Sequence, residues 1–233
     1  MNGSRAPYST ANVEFYEEGE HKWTIPEGVN QVKISSVGAG GSSGGRFEAG
    51  PGNNNKSYAF GGGGGDVVEN ITIDVVPGEN MTIVVGSASS NSDGGDSYII
   101  YNEQSYAVAP GGKMAKDYGS GNSGGIGGGS GGYAWYYSIS NVMLSDGQNG
   151  KYGTGGKSLL YTSGSATYVA GGGGSWGDGS SRYSGGIGAG AAARISRRSN
   201  GTSVSAPSTG AGNGGAVFIA YATISLSDSN IVL

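Results

Sequence analysis

Cysteine is absent from the chain, and histidine occurs once, at His21. Without cysteine there can be no disulfide-stapled scaffold, no thiolate metal site and no cysteine nucleophile. A single histidine likewise excludes zinc sites built from several imidazoles. Charged residues make up only 13% of the chain and the net charge is -4, so the basic surface typical of nucleic-acid binding is missing. Function must therefore depend mainly on uncharged polar, aromatic and backbone groups.

Targeting and membrane signals are also scarce. Residues 1–15 lack a basic region followed by an apolar core, so we expect no secretory signal there. The longest apolar run, near Ala216–Ile224, is far shorter than the ~20 residues that a helix needs to cross a bilayer. We therefore expect no membrane insertion.

Glycine is the residue in large excess. The chain has 51 glycines among 233 residues, about three times the usual ~7% share. Collagen is excluded, because there is no strict G-X-Y period and only 6 prolines occur. A disordered linker is not favoured, because 15 tyrosines and 3 tryptophans lie between the glycine runs, and disordered chains are poor in such residues. We predict a folded protein built largely on glycine.

A strand that runs into glycine sets the plan of the chain. After Trp23, Val32 and Ile34 alternate with polar residues until the glycine run that begins at Gly38. The same order, apolar residues and then glycine, recurs along the chain. The last strand, Ala216–Leu226, is long and apolar enough to pair centrally, and we expect it beside this first strand.

Two hairpins are predicted between the first glycine runs. Val67–Val75 and Met81–Val85 alternate in hydrophobicity around Pro77-Gly78, a pair that fits a type II turn. A second hairpin is predicted over Tyr98–Val108, with its turn at Asn102-Glu103.

The chain divides into three parts. Residues 1–22 form an N-terminal arm that could attach the protein to a neighbour, with a short strand near Val13 and Phe15. Residues 23–110 hold the hairpins. Residues 111–233 hold glycine runs, aromatic segments expected to be loops, and the closing strand. Residues 23–233 should make one compact domain.

Glycine runs in a folded protein need a structural explanation, because each glycine weakens a helix or strand by ~0.5–1 kcal/mol relative to alanine. A left-handed helix with three residues per turn, the polyproline II geometry, supplies one. Glycine keeps free N–H groups and has no Cβ, so such helices can pack closely and hydrogen-bond to each other. The alternative is flexible glycine loops on a β-sandwich. We predict a mainly β and irregular fold: a glycine-rich β-sandwich with packed polyglycine II-type helices and almost no α-helix.

Glycine runs also imitate catalytic and binding motifs. Val37–Ser43 lacks the third glycine of a dinucleotide-binding turn, and the first glycine of a phosphate-binding loop ending in Gly153–Ser158 would fall at Lys151. Asp93-Gly-Gly-Asp96 and Asp178 lack the series of acids that forms a calcium loop, so we interpret them as turn residues. No spacing signals paired carboxylates or an activated nucleophile. We expect no enzyme activity, no cofactor and no metal.

The informative excess is aromatic and hydroxylic. Tyrosine and tryptophan offer wide contact area with few torsions to freeze, and neighbouring serine, asparagine and glycine add adaptable hydrogen bonding. Each aromatic residue could equally pack against the glycine walls, which lack side chains. The candidate receptor-binding residues are Tyr98, Tyr101, Tyr106, Tyr133, Trp135, Tyr136, Tyr137, Tyr161, Tyr168, Trp176 and Tyr183.

Three motifs resemble the glycine-rich domain found in bacteriophage tail fibres. W-T-I-P-x-G-V-x-x-V-x-I starts at Trp23 and precedes a G-A-G-G run, I-x-V-x-P-G-x-x-x-T-I-x-V-G spans Ile73 to Gly86, and G-N-G-G-A-V-F-I ends at Ile219. The alternation of glycine runs with aromatic segments also resembles the tip adhesins of T-even-type phage tail fibres. In those proteins glycine helices form a sandwich, and loops at one end contact the bacterial surface.

The resemblance implies a phage tail-fibre receptor-binding protein that is made in the host cytoplasm and located on the virion. Its partners would be a bacterial outer-membrane protein or polysaccharide and other fibre proteins, and it would act as a homotrimer or as a monomer capping a trimeric fibre. Two alternatives remain. The chain could be a structural virion protein, a fibre or capsid decoration whose aromatic residues are buried at subunit contacts. It could also be a polyglycine-helix protein unrelated to phages, such as an ice-binding protein.

Overall fold

The computed structural model describes residues 8–51, 55–115, 128–129, 131–138, 141–163, 165–180, 185–196 and 205–225. These residues form β-strands and no α-helix, so the predicted mainly β fold is confirmed. In chain order the strands are β1 (Tyr8–Tyr16), β2 (Gly19–Thr24), β3 (Gln31–Val37), β4 (Gly44–Glu48), β5 (Lys56–Phe60), β6 (Val67–Asp74), β7 (Asn80–Val85), β8 (Ser97–Tyr101), β9 (Gln104–Ala109), β10 (Tyr133–Ser138), β11 (Asn141–Ser145), β12 (Leu159–Ser163), β13 (Ser165–Ala170), β14 (Ala193–Ser196) and β15 (Ala216–Ser225).

The strands make four sheets in which every described pair is antiparallel. The first sheet has the order β1-β15-β3-β6 and the second has the order β2-β7-β8-β9. The third sheet is β11-β10-β5-β4 and the fourth is β12-β13-β14.

The first and second sheets share the main hydrophobic core. Alternate residues of each strand point into it, as the period of two requires. Ile34 and Ile219 come from the first sheet, and Met81 and Ile83 come from the second; all four are fully buried. A smaller core joins the third and fourth sheets, where Tyr136 packs with alanines and with Ile195 of β14.

The predicted hairpin over residues 67–85 is wrong, although its turn is present. Gly78 has a φ of 83°, and the Glu79 N–H donates to the Val76 carbonyl at 3.3 Å, as expected for a type II turn. The turn nevertheless pairs with Ile25, whose N–H donates to the Glu79 carbonyl and whose carbonyl accepts from the Gly78 N–H, both at 2.9 Å. Strand β6 therefore enters the first sheet and β7 the second, which places their apolar faces opposite each other across the core.

The second hairpin and the closing strand are confirmed. β8 and β9 are joined by Asn102 and Glu103, whose φ angles of 49° and 62° are those of a two-residue type I′ turn. β15 pairs with β3 on one side and with β1 on the other. The predicted short strand in the N-terminal arm is β1, which contains Val13 and Phe15.

Two aromatic segments after residue 110, at residues 133–138 and 159–170, contain strands where the sequence predicted loops, whereas Trp176 lies in a bend. YAWYYS forms β10, which pairs with β5 so that Trp135 lies opposite Tyr58. LLYTS and SATYVA form the adjacent strands β12 and β13. Aromatic and β-branched residues favour such pleated surfaces, and the glycine runs around them hid this local signal.

The glycine runs between the sheets are held by backbone hydrogen bonds, and the central run is Gly61–Asp66. Its successive N–H groups donate to three different runs in turn. Gly61 and Gly64 donate to residues 132 and 129, Gly62 and Gly65 to residues 191 and 188, and Gly63 and Asp66 to residues 113 and 110, at 2.8–3.0 Å. All six residues of the central run are buried.

This repeat has a period of three, and it recurs in the run at residues 38–43. There the first and fourth N–H groups donate to residues 66 and 63, the second and fifth to residues 95 and 92, and the third and sixth to residues 213 and 210. A helix with three residues per turn presents its N–H groups in this order. The hydrogen bonds are those that a lattice of glycine helices requires, while the polyglycine II helix geometry itself stays a prediction. We call this network the glycine lattice.

Close backbone approach explains why the lattice uses glycine. A Cβ added at Gly64 would overlap the carbonyl group of Gly174, and one added at Gly62 would overlap that of Gly41. The obstructing atoms are backbone atoms that hydrogen bonds hold in place. Alanine at these positions would therefore force two runs apart.

Asp66 is the only charged residue in the central run. Its side chain is buried, with 7% of the residue exposed, and its Oδ1 has no hydrogen-bond partner among the described residues. Burial, and then the nearby Asp96 carboxylate, raise the pKa of Asp66 from 3.8 to about 6. The folded state thus binds this proton more tightly than the unfolded state does, so stability falls as pH rises from about 4 through about 6.

Gly64→Ala should destabilise the protein by at least about 2 kcal/mol, because the added methyl group meets backbone that has no room to move. Gly210→Ala is the matched control: an added Cβ there has nothing within 4 Å, so the change should stay within about 0.5 kcal/mol. Urea denaturation followed by circular dichroism measures both. Equal stability of the two variants would contradict the close packing of the lattice.

Asp66→Asn should raise the midpoint of thermal unfolding at pH 8, because it removes the buried charge, and the gain should shrink towards pH 4, where Asp66 is protonated. Glu103→Gln, at an exposed turn, should show no such change with pH. Calorimetry across this pH range checks both variants. A gain that is the same at pH 4 and at pH 8 would rule out the buried carboxylate as its source.

Candidate binding surface: an exposed aromatic row

Two of the aromatic residues expected at the surface are in the cores. Tyr101 and Tyr136 are each 4% exposed. The Tyr101 hydroxyl donates to the Glu79 carboxylate and accepts from the Val76 N–H at 3.0 Å, so this residue fixes the turn before β7. Tyr136 packs between the third and fourth sheets. Both side chains point inward because successive residues of a strand face opposite sides, and the sequence did not show which side of each strand is buried.

Four other candidates are partly exposed strand residues. Tyr98 and Tyr106 lie on β8 and β9, and Tyr106 packs against the main core. Tyr133 and Trp135 share one face of β10, with ring centroids 4.7 Å apart, and pack against the buried Tyr58 and Phe60. The side chains of Tyr137, Tyr161 and Tyr168, and the whole of Tyr183, lie outside the described residues.

Trp176 is the sequence candidate that the fold places in an exposed cluster. Its ring stacks on Phe218 with centroids 5.2 Å apart and an interplanar angle of 28°. Phe218 contacts Phe15 at 5.0 Å on one side, and Trp176 contacts Tyr152 at 4.8 Å on the other. The four rings form a continuous aromatic row, with Phe15 47% and Tyr152 56% exposed at its ends.

Strand register and the glycine lattice together build this row. Phe15 and Phe218 are directly opposite each other in the pair β1–β15, and they point outward because Val217 and Ile219 on either side of Phe218 point into the core. Trp176 stands in a bend whose Ser175 N–H donates to the Gly177 carbonyl at 3.0 Å. The Tyr152 N–H donates to the Ser175 carbonyl at 3.2 Å. Both loop residues are thus attached to the lattice and rest on the outer face of the first sheet.

Glu69 fixes the Tyr152 end of the row. Its carboxylate accepts a 2.6 Å hydrogen bond from the Tyr152 hydroxyl and forms an ion pair with Lys151. The Lys151 hydrogen bond, and then that of Tyr152, lower the pKa of Glu69 below its ordinary value. The same contact with Glu69 raises the pKa of Tyr152, whose hydroxyl therefore stays protonated as the donor.

The Phe15 end of the row opens into a groove of about 450 Å³. Its lining combines Phe15 with the exposed Glu17 and Glu18 of the β1–β2 turn, and with Ile187 and Asn213. The rest of the wall is glycine backbone, from residues 185–186 and 214–215. We call this feature the acidic groove.

Sequence reasoning missed three members of the row: Phe15, Tyr152 and Phe218. The search for candidates favoured tyrosine and tryptophan between glycine runs, and Phe15 and Phe218 lie in strands. The available signal was the alternation around each phenylalanine, since a large aromatic residue on the polar face of a strand is unusual.

The acidic residues that imitated calcium motifs each accept a backbone N–H, Asp93 from Met114, Asp96 from Gly111 and Asp178 from Thr154, and Asp93 and the separate Asp146 also pair with lysines. Asp93 accepts the Met114 N–H at 2.8 Å and pairs with Lys113 at 2.9 Å. Asp146 makes the same two contacts with the Ser158 N–H and with Lys157. Each of these two lysine-paired aspartates therefore links the glycine run beside it to a Gly-Gly-Lys sequence elsewhere in the chain, through the lysine and the residue that follows it. The phosphate-loop imitation, Gly153–Ser158, contains one of these two lysines.

Metal and membrane features were also sought. Among the described residues, no cluster of three or more histidine, aspartate or glutamate side chains could hold a metal ion. Over the same part of the chain, no helix has the length and hydrophobicity needed to cross a bilayer.

Comparison with known protein families gives a match over most of the chain. The sequence model of a family described as a glycine-rich domain matches residues 16–228, which include the glycine lattice and, apart from Phe15, the residues of the aromatic row and the acidic groove. No curated protein matches the chain. Since the family match covers nearly all of the sequence, this chain belongs to the glycine-rich domain family.

Proposed function

We propose that this protein is a receptor-binding protein of a phage tail fibre, an adhesin that recognises a bacterial surface receptor. The observation that carries the proposal is the aromatic row. Folded proteins bury most large aromatic side chains, and exposed groups of them mark interaction sites. Phe15 and Tyr152 are about half exposed, whereas Val217 and Ile219 of the same sheet are fully buried in the core.

The scaffold beneath the row also supports a binding role. Backbone hydrogen bonds hold Tyr152 and the residues on either side of Trp176, Ser175 and Gly177, and these bonds position the two rings. A binding surface that is already ordered loses less conformational entropy when its partner arrives. The three motifs that resemble phage tail-fibre proteins, within a glycine-rich domain that covers the chain, connect this surface with attachment to bacteria.

A structural virion protein is the second candidate, and edge strands favour it. Val13 on the edge strand β1 is 66% exposed, and Met143 and Leu144 on the edge strand β11 are also exposed. Apolar side chains on open sheet edges are suited to contact with another subunit. In that case the exposed residues would be covered by neighbouring copies or by other fibre proteins.

Binding of fluorescently labelled protein to a panel of intact bacteria tests the proposal. We expect saturable binding to a subset of strains and competition by unlabelled protein. Substituting both ends of the row, Phe15→Ala with Tyr152→Ala, should weaken binding by at least about fivefold, since two exposed aromatic contacts of ~0.5–1.5 kcal/mol each are removed. Leu144→Ser on β11 is the control and should bind as the parent does.

The same variants separate the two candidate functions. Folded protein that binds no strain, or a row variant that binds bacteria as well as the parent does, would contradict the adhesin. Loss of self-association or fibre assembly in Leu144→Ser, with row variants unaffected, would favour the structural role. Circular dichroism spectra establish that each variant is folded.

A further inference from the structure

We infer that the aromatic row and the acidic groove form one continuous binding site for an uncharged saccharide chain. The inference rests on the proposed receptor-binding function and specifies the class of receptor. It uses the order of the elements on the outer face of the first sheet: carboxylates at Glu17 and Glu18, then the Phe15 ring, and then the other three rings of the row.

The row matches the apolar face of sugar rings. A pyranose ring carries C–H groups on its faces and hydroxyls around its edge, so an aromatic face can cover one side while the hydroxyls stay accessible. Successive centroids in the row are 4.8–5.2 Å apart and successive ring planes are inclined by 28–60°, so neighbouring rings contact each other and do not form one flat surface. The exposed parts of Phe15 and Tyr152 offer one contact for a sugar ring at each end of the row, and the Tyr152 hydroxyl, held by Glu69, marks its polar end.

The acidic groove matches the hydroxyl edge of a sugar. Glu17 and Glu18 present carboxylate oxygens, which accept hydrogen bonds from hydroxyl groups and bind them more strongly than neutral acceptors do. The Glu18 side chain faces the glycine wall, because its Oε2 lies 3.0 Å from the position of a Cβ added at Gly214. Glycine at that position keeps the groove open. A volume of about 450 Å³ falls within the ~300–1,000 Å³ of small-ligand sites.

The charges of the site favour an uncharged saccharide over two other partners. A polyanion, such as a nucleic acid or a phosphorylated polysaccharide, would be repelled by Glu17 and Glu18 and by the net charge of -4. An apolar protein loop packed on Phe15 would desolvate the two carboxylates without giving them partners, which is costly. Sugar hydroxyls cover the ring and supply hydrogen-bond donors at the same time.

A second groove of about 330 Å³ at β3 and β15 on the same sheet provides an internal control. Its lining includes Lys33, Thr72 and Tyr221, and it contains no member of the aromatic row. The Tyr221 side chain already has partners in the fold, because its hydroxyl donates to the Glu14 carboxylate and its ring contacts Trp23. Substitution of Lys33 therefore alters a groove of similar size without touching the proposed saccharide site.

Titration with purified neutral bacterial polysaccharides, freed of lipid, tests the inference. Of the three tryptophans, Trp23 is buried and Trp135 lies on β10 of another sheet, so a fluorescence change that depends on Trp176 reports on the site. We expect a saturable change with at least one polysaccharide, an affinity at least about twofold lower in Phe15→Ala, and an affinity at least about tenfold lower in Glu18→Gln. Lys33→Ala should bind as the parent does. Trp176→Phe should lose the fluorescence change while it keeps binding measured by calorimetry.

Treatment of whole bacteria separates failure of this inference from failure of the proposed function. Periodate, which cleaves sugar diols, should abolish binding to cells, and protease should leave it intact. Binding that survives periodate and is lost after protease would overturn the saccharide inference while the receptor-binding proposal stands. Polysaccharide binding without any binding to cells would overturn the receptor-binding proposal while the saccharide inference stands. Absence of both from folded protein, or full polysaccharide binding by Phe15→Ala and Glu18→Gln, would overturn the saccharide site.

Discussion

The structure depends on hydrogen bonds between glycine backbones. A buried peptide group must be paired, and a run such as Gly61–Asp66 has no strand partner along its length. It pairs instead with several other runs in rotation, with a period of three residues. This is possible only without side chains, since a Cβ at Gly62 or Gly64 would occupy the space of a neighbouring carbonyl group. The excess of glycine, which usually indicates disorder, here allows dense packing of the backbone.

The lattice also determines where large side chains can lie. It has no room for them, so they collect in two cores between sheets or remain outside. Trp176 and Tyr152 stand at the margin of the lattice, where the Tyr152 N–H and the neighbours of Trp176, Ser175 and Gly177, make backbone hydrogen bonds, and their rings continue the pair Phe15–Phe218 across the first sheet. A rigid aromatic surface beside an acidic groove is thus a direct consequence of the glycine lattice. The proposed recognition of a sugar chain would use both features.

Local sequence patterns predicted individual strands and turns better than they predicted which strands pair with each other. The β8–β9 hairpin followed from alternation and a two-residue turn, and β15 was correctly expected beside β3. The turn at Gly78 was also correct, but its strands entered different sheets because the turn bonds to Ile25, a contact invisible in the local sequence. The site shows the same limit. Trp176 could be named from its glycine-rich surroundings, whereas the row needed the register of β1 against β15, which joins residues far apart in the chain.

Hydrogen exchange of individual glycine amides tests the lattice most directly. The account predicts that the amides of Gly61–Gly65, which donate to other glycine runs and are fully buried, exchange as slowly as those of β3 in the main core. Both sets would then open only with the whole domain. Exchange of these glycine amides at the rate of an unfolded chain, while β3 stays protected, would contradict the lattice and identify the glycine runs as loops on a β-sandwich.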